Sequence, residues 1–395
     1  MIKTKLPAFS NIMLVGCVSL ISLNFFATRF LGGTSASGLI SNMLVVLCLG
    51  QLFYSLALLQ SSSFESREDF WVAPVLVICA VLPFVFKGEL GGNPFTWFVS
   101  NLALAAFFVA GKAISKKVIW NLMGALNVGS LMSAALGPLA FSEDSRSLLF
   151  ASRLTGILGH PNITAFLAVC TIVFGLYLGK KITVYTVSAL LVALATFSIT
   201  SLFALIAGLV ITGLLKTVKQ RSFVINSALA AMSFPLIGVI VLGLKLNPEL
   251  FTSRSSIWAW LKSYGSPPPS GFGLSFLNQQ QAAGQVTWVH AHNQLFMSYY
   301  TQGIIGLAII AFLLILLIRK TKFEPLSSAL LVMLFVEGIT EIPLFLDYPS
   351  GRWISTVMVF VLIKNYKNYK PDLDNKTLTV PKITDRSPKG DQFST

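Results

Sequence analysis

Long apolar segments separated by short polar ones make up most of the chain. An α-helix needs about 20 predominantly apolar residues to cross the ~30 Å hydrocarbon core of a bilayer. Runs near that length predict membrane-spanning helices at about 10–28, 38–60, 70–86, 95–111, 118–141, 161–179, 223–244, 294–318, 326–346 and 352–364. The pattern is that of an all-α, multi-pass (polytopic) membrane protein.

One further apolar segment, 182–215, is long enough for two short crossings. Lys180 and Lys181 precede it, and Lys216 follows it. A single crossing would put these basic residues on opposite faces of the membrane, whereas two crossings keep them on the cytoplasmic face, as the positive-inside rule expects. We therefore predict two spans with a corner near 196–201, which brings the total to about twelve transmembrane helices.

The composition agrees with this assignment, because 54% of the residues are hydrophobic and 11% are charged, whereas soluble proteins carry roughly 25% charged residues. Most of the 29 Lys and Arg residues fall in segments that the predicted topology puts inside, with both termini cytoplasmic. The formal net charge of +14 is therefore explained by orientation in a membrane, and no nucleic-acid partner is expected.

Two regions follow from this pattern. Residues 1–364 form the predicted transmembrane domain and candidate catalytic domain, with one large external loop at about 245–293 between the ninth and tenth spans. The tail 365–395 is rich in Lys, Asp, Thr and Pro and is too polar to build a core. We expect this tail to be disordered in the cytoplasm.

The polar stretch 254–293 lies in the external loop and is the strongest site candidate. It contains Arg254, three tryptophans, a Pro- and Gly-rich segment at 267–273 and two of the chain's three histidines. The stretch shows little regular pattern, and irregular backbone must lie outside the hydrocarbon or line a wet cavity, because lipid offers its N–H and C=O groups no partners. Arg254 presents a charged fork that suits phosphate oxygens, although an arginine beside a span more often binds ordinary lipid headgroups.

His290, His292 and Asn293 close the stretch, just before the next span. A neutral imidazole can accept a proton from an attacking hydroxyl near neutral pH. Two histidines could instead share a zinc ion, but a catalytic zinc site normally needs a third protein ligand, which only His160 or Asp347 could supply. A polar helix start capped by Asn293 is the plainest alternative.

A second polar segment, 156–162, opens the sixth predicted span. Pro161 suits the first turn of a helix, and the free N–H groups at this helix start point toward the outer face. With Arg153, His160 and Asn162, this helix start makes a candidate anion site. An ordinary helix cap explains the same residues equally well.

Glu337 and Glu341 stand four residues apart in the eleventh predicted span, so they share one helix face. Carboxylates in an apolar span are costly and usually face the protein interior or a wet cavity. They could hold an arginine, orient a histidine or bind acceptor hydroxyls, or they could form a structural ion pair with Arg352. The small residues between Thr301 and Gly306 indicate a face for close helix packing.

These motifs, in this order, resemble the signature of the O-antigen ligase and O-antigen polymerase superfamily of bacterial membrane glycan transferases. The resemblance covers residues from about 150 to 345. It rests on Gly159-His160-Pro161-Asn162, Arg254 with Trp258, Gly271-Phe272-Gly273, His290-Ala291-His292-Asn293 and Gly303-Ile304-Ile305-Gly306.

The resemblance implies transfer of a glycan, with inversion and without metal or cofactor, from an undecaprenyl-pyrophosphate-linked oligosaccharide donor to the hydroxyl of a glycan or lipid-glycan acceptor. The reaction would take place at the outer, periplasmic face of the bacterial inner membrane. Arg254 would hold the pyrophosphate, His292 would be the general base, and tryptophans such as Trp258 would offer faces to sugars. The expected substrate-binding residues are Arg153, His160, Asn162, Trp258, His290, Asn293, Glu337, Glu341 and Arg352.

The chain departs from the family pattern at one point. Many members carry Thr-x-Ser-Arg at an outward corner between two spans, where this chain has Thr196-Phe197-Ser198-Ile199. A second arginine would have to come from Arg153 or Arg352. Two other classes stay open from the sequence: a transporter or flippase for lipid-linked glycans, which the apolar midpoints of the spans disfavour, and a non-catalytic membrane assembly protein.

Overall fold

The computed structural model describes sixteen stretches of the chain. They are residues 6–30, 34–61, 71–72, 74–78, 81, 94–142, 148–150, 152–179, 182–218, 220–222, 224–228, 254–273, 275–286, 292–321, 323–341 and 351–365. Most of the predicted ninth span (223–244), apart from 224–228, and nearly all of the predicted cytoplasmic tail lie outside them.

The described parts of the chain are helical and contain no β-strand. The α-helices are α1 (Leu6–Phe30), α2 (Thr34–Ser61), α3 (Pro94–Ala110), α4 (Lys116–Met132), α5 (Pro161–Tyr177), α6 (Val184–Thr196), α7 (Ile199–Thr217), α8 (Arg254–Ser263), α9 (Phe276–Ala282), α10 (Gln294–Thr321), α11 (Pro325–Thr340) and α12 (Gly351–Asn365). Short 3₁₀ helices follow α4 at Ser133–Ala140 and precede α5 at Gly156–Leu158.

Within the described residues, five helical segments are long and apolar enough to cross a membrane: Ala8–Thr28, Leu39–Leu56, Lys116–Ala140, Ile199–Thr217 and Gln294–Thr321. Shorter apolar helices run at Asn101–Ala110, Pro161–Tyr177, Val184–Thr196 and Pro325–Ile339. The described parts of the chain are therefore all-helical, and their long apolar helices are those of a membrane protein. The total of about twelve spans and the cytoplasmic position of both termini stay predictions.

The corner predicted near 196–201 separates α6 from α7. Phe197 adopts a left-handed backbone conformation with φ of 43°, which ends α6. Ser198 then caps α7, because its side chain accepts a hydrogen bond from the backbone N–H of Ser201. The apolar segment 182–215 thus folds as two helices, as its flanking lysines predicted.

The centre of the bundle is formed by α5 and α12. Every side chain of α12 from Trp353 to Ile363 is buried, and a helix buried on all faces lies inside a bundle. By contrast, α2 and α7 expose large apolar side chains, and Val46, Phe53 and Phe203 are each more than 60% exposed. These outer faces suit contact with lipid tails.

The polar stretch 254–293, predicted to be irregular, contains two short helices, α8 and α9. Their inner residues form a separate apolar cluster with the first turns of α10. The members of this cluster are Ile257, Trp258, Leu261, Phe276, Leu277, Phe296, Met297 and Tyr300. We call α8, α9 and the intervening loop the cap domain. The prediction missed its helices because the Gly and Pro residues between them dominate the local pattern.

The small residues near Gly303 do not serve helix packing, contrary to the prediction. Gly303 breaks α10 with φ of 67° and ψ of −163°, and the loop of the cap domain packs against the break. The N–H of Phe272 donates to the carbonyl of Tyr300 at 2.8 Å, and the N–H of Gly273 donates to the carbonyl of Thr301 at 2.9 Å. The loop backbone thereby pairs with carbonyl groups that the break removes from the helix ladder.

Replacing Gly303 by alanine is expected to destabilise the fold. A Cβ there would overlap the carbonyl of Pro269, and the backbone conformation is one that essentially only glycine adopts. We expect a cost of about 2 kcal/mol or more, seen as a melting temperature lowered by several degrees in detergent. Gly213→Ala is the matched control, because nothing lies within 4 Å of a Cβ at that helical position. Equal melting temperatures for the two variants would contradict the docking described for the loop.

Candidate functional site

The helix ends that carry the polar motifs meet at one end of the bundle. Nε of Arg153, in the segment before α5, donates a 2.7 Å hydrogen bond to the carbonyl of Thr196 at the end of α6. Nδ2 of Asn293, directly before α10, donates a 2.8 Å hydrogen bond to the carbonyl of Ile339 in the last turn of α11. The segments that were singled out in the sequence are therefore neighbours in space.

Basic residues stand at the opposite ends of the same helices. Lys216 is in the last turn of α7, Arg319 and Lys320 are in the last turn of α10, and Lys364 is in the last turn of α12. The polar motifs lie at the first turns of these helices. Since Lys and Arg favour the cytoplasmic side, we expect the polar cluster to face the outside.

Glu341 is the centre of the cluster. It follows α11 directly, and 2% of its side chain is exposed. Its Oε1 accepts a 2.8 Å hydrogen bond from Nη2 of Arg254, the first residue of α8. Its Oε2 accepts a 2.8 Å hydrogen bond from Nη2 of Arg352, in the first turn of α12. One buried carboxylate thus joins two guanidinium groups from the cap domain and the bundle, and charge-assisted bonds of this kind are strong.

Asn162 connects a third guanidinium group to this centre. Its Nδ2 donates a 2.6 Å hydrogen bond to Oε1 of Glu341, and its Oδ1 accepts a hydrogen bond from Nη2 of Arg153. Arg153, Arg254 and Arg352 are therefore held around one carboxylate. The cluster carries more positive than negative charge near Glu341, which suits an anionic ligand.

His292 stands beside the same carboxylate. Its Nδ1 lies 3.7 Å from Oε1 of Glu341, and 22% of its side chain is exposed. Its backbone φ is 48°, a left-handed conformation that is uncommon for a non-glycine residue and often marks a functional position. Asn293 then caps α10, since its Oδ1 accepts hydrogen bonds from the N–H groups of Leu295 and Phe296.

His160 caps α5 and lies just outside that helix. Its Nδ1 accepts a 3.2 Å hydrogen bond from the backbone N–H of Asn162. Burial is the main cause that lowers the pKa of His160 to about 4; the negative charge of Glu341 opposes this shift, and the positive charges of Arg352 and Arg153 add to it. His160 is therefore neutral near pH 7, where it serves as a hydrogen-bond acceptor.

The lowered pKa of His160 predicts that the folded protein loses stability in acid. The pKa of His160 is lowered from 6.5 to about 4 on folding, so the unfolded chain binds more protons between these values. The free energy of unfolding should then fall as the pH drops through 6.5 toward 4, by up to about 3 kcal/mol. Melting curves in detergent at pH 7 and pH 5 should show this loss in the wild type. The loss should shrink in His160→Asn, which keeps a capping oxygen and does not titrate. Equal losses would contradict the assignment.

Glu337 lies one turn deeper than Glu341 and is 4% exposed. Its Oε2 accepts a 3.4 Å hydrogen bond from Oγ of Ser201, in the first turn of α7. Both carboxylates border a small cavity of about 10 Å³, room for roughly one water molecule. The cavity is lined by Ile163, Phe166, Glu337, Glu341, Arg352, Ser355 and Thr356.

Trp258 is not a platform for sugars, contrary to the expectation from the sequence. It is 3% exposed, and its ring stacks on Phe296 with 5.5 Å between ring centroids and an angle of 6° between the planes. Trp258 lies one turn after Arg254 in α8. Its burial anchors α8 on α10 and so fixes where the Arg254 side chain starts.

His290 lies outside the described residues, so its position relative to the cluster is a prediction. Among the described residues, no group of three or more His, Cys, Asp or Glu side chains comes close enough to hold a metal ion. The side chains that the described cluster brings together carry guanidinium, imidazole, carboxylate and amide groups.

Two residues that contribute to the site were not predicted from the sequence. Ser201 bonds to Glu337, and no sequence signal separates it from other serines at helix starts. The docking of Gly271 on α10 was also missed. The available sequence signal was the glycine at positions 271 and 303, which the structure explains, because both have positive φ and a Cβ on Gly271 would overlap the Thr301 backbone.

No protein-family model matches the chain, and a search of curated proteins found no match.

Proposed function

We propose that this chain is a membrane glycosyltransferase that moves a glycan from a polyprenyl-diphosphate carrier to an acceptor hydroxyl at the outer face of the membrane. The observation that carries the proposal is the meeting of Arg254, Arg352 and His292 at Glu341. Diphosphate departure needs positive charge, and deprotonation of an alcohol needs a base. Both kinds of group stand beside one buried carboxylate.

Ile199 stands where many members of the family that the sequence resembles carry a second arginine, so another residue of this chain has to supply that charge. In this chain the second guanidinium beside Arg254 belongs to Arg352, which reaches the other oxygen of the same carboxylate. Arg153 joins through Asn162. We infer that Arg254 and Arg352 bind the diphosphate directly and that Arg153 supports them from the side of α5.

The proposed reaction is a single displacement. His292 takes the proton of the acceptor hydroxyl as its oxygen forms a bond to the anomeric carbon of the donor sugar. The bond between that carbon and the diphosphate oxygen breaks, and the electron pair leaves on the diphosphate, where the arginines neutralise it. Attack opposite the leaving group inverts the anomeric centre.

The position of the cluster supports an outer-face reaction. The cap domain contributes Arg254 to it, and the basic ends of α7, α10 and α12 lie at the far end of the bundle. A large hydrophilic glycan would then remain in water, while the polyprenyl tail would lie in the bilayer beside the apolar outer helices.

A glycan profile of a strain that lacks the chain tests this proposal. Loss of long glycan chains with single units retained indicates a polymerase, while complete polymer left on its carrier indicates a ligase. In both cases the carrier-linked glycan should accumulate on the outer face, accessible to added glycosidase. Carrier-linked glycan that accumulates only on the cytoplasmic face would indicate a flippase and would contradict the proposal, as would an unchanged profile.

A further inference from the structure

Glu341 stands where an anionic substrate would be expected to bind. Each of its two carboxylate oxygens accepts a 2.8 Å bond from a different arginine, Arg254 and Arg352. A phosphate group offers guanidinium groups the same arrangement of two oxygens on one centre. In the described structure, the carboxylate therefore satisfies the groups that the proposed function assigns to the diphosphate.

Glu341 also has a second neighbour of a different kind. Oε1 lies 3.7 Å from Nδ1 of His292, which is longer than a hydrogen bond. Catalytic hydrogen bonds often tighten only when substrate binds, and a carboxylate at this position would then orient the imidazole so that its other nitrogen faces the substrate. The carboxylate thus contacts both the anion-binding groups and the base. No other carboxylate in the described parts of the chain is bonded to two arginines.

We propose that Glu341 is a positioning residue that acts as an exchangeable counter-ion: it holds Arg254 and Arg352 while the site is empty, yields them to the diphosphate, and keeps His292 oriented throughout. This inference rests on the proposed function for the identity of the anion, a lipid-linked diphosphate. It goes further in assigning Glu341 two opposing effects, since the carboxylate competes with the substrate for the arginines and assists the base.

The two effects predict that Glu341→Gln binds a diphosphate more tightly than the wild type and yet reacts more slowly. Loss of the competing negative charge leaves two arginines unneutralised, so the variant should bind farnesyl diphosphate about tenfold more tightly than the wild type. Loss of the carboxylate beside His292 should at the same time lower kcat for carrier-diphosphate release, by roughly 10²-fold or more. A residue with a purely structural role would weaken binding and catalysis together.

The experiment compares purified full-length wild type, Glu341→Gln and Glu341→Asp in detergent. Calorimetric titration with farnesyl diphosphate gives the dissociation constant, and release of carrier diphosphate from a lipid-linked oligosaccharide gives kcat. Glu341→Asp keeps the charge with a shorter reach and should change both quantities in the same directions by smaller amounts, so the comparison does not depend on the Gln variant folding. Glu324→Gln, at the opposite end of α11, is the matched control and should change neither.

Tighter binding together with slower release supports the inference. Binding no tighter than that of the wild type overturns the counter-ion role, and an unchanged kcat overturns the positioning role. If the wild type binds farnesyl diphosphate but releases no carrier diphosphate, the proposed function fails, while the binding comparison still decides whether Glu341 competes with the anion.

Discussion

Replacing His292 by asparagine is expected to lower kcat for glycan transfer by roughly 10³-fold while the protein stays folded and binds its donor. General-base catalysis contributes about 10²- to 10⁴-fold, and asparagine cannot take a proton. Asparagine tolerates the left-handed backbone at this position, where φ is 48°. The melting temperature should therefore stay the same or rise slightly.

This combination separates chemistry from folding. The donor should still bind, because the arginines that hold its diphosphate are unchanged, so KM should move little compared with kcat. The measurement is initial-rate kinetics of carrier-diphosphate release together with a melting curve of the same preparation. A His292→Asn variant with a wild-type kcat would remove His292 from the reaction and leave the cluster as an anion-binding site alone.

Replacing Arg254 or Arg352 by glutamine is expected to lower kcat/KM by roughly 10²-fold in each case. Each guanidinium makes a 2.8 Å bond to its own oxygen of Glu341, so each would face one side of a diphosphate that takes the carboxylate's place. Removal of one such donor to a developing negative charge typically costs 10²- to 10³-fold. Lysine should recover part of the loss, since it restores the charge but lacks the planar fork.

The matched control for both arginines is Arg319→Gln. Arg319 lies in the last turn of α10, at the far end of the bundle, and carries the same charge. It should leave kcat/KM unchanged, and a loss equal to that of Arg254→Gln would mean that overall charge, and not the site, governs activity. Because Arg254 and Arg352 share Glu341, the double variant should lose less than the two single losses combined.

The sequence was sufficient to predict those structural elements that depend on one local pattern of residues. The corner after Thr196 followed from the lysines on both sides of one long apolar segment, because membrane topology constrains where such charges can lie. Helices α8 and α9 were missed because their apolar positions are few and the Pro- and Gly-rich loop lies between them. The spacing of Ile257, Trp258 and Leu261, all buried on one face, was the available signal.

The types of residue that form the site were predictable from the sequence, but which side chains bond to one another was not. Glu341 was recognised as a costly buried carboxylate, with an ion pair to Arg352 as one alternative, and that pair is present at 2.8 Å. Its contacts with Arg254, 87 positions away, and with Asn162, 179 positions away, depend on how the helices pack. No local pattern in a single sequence carries such long-range information.

The most direct test of the central claim is the release of carrier diphosphate by the purified full-length chain from a polyprenyl-diphosphate-linked oligosaccharide, with acceptor and a metal chelator present. We expect the wild type to release free carrier diphosphate and to extend or glycosylate the acceptor in equal amounts, and His292→Asn to do neither at a measurable rate. A folded wild-type protein that binds the donor and leaves it intact would contradict the claim that Arg254, Arg352 and His292 form a transferase site.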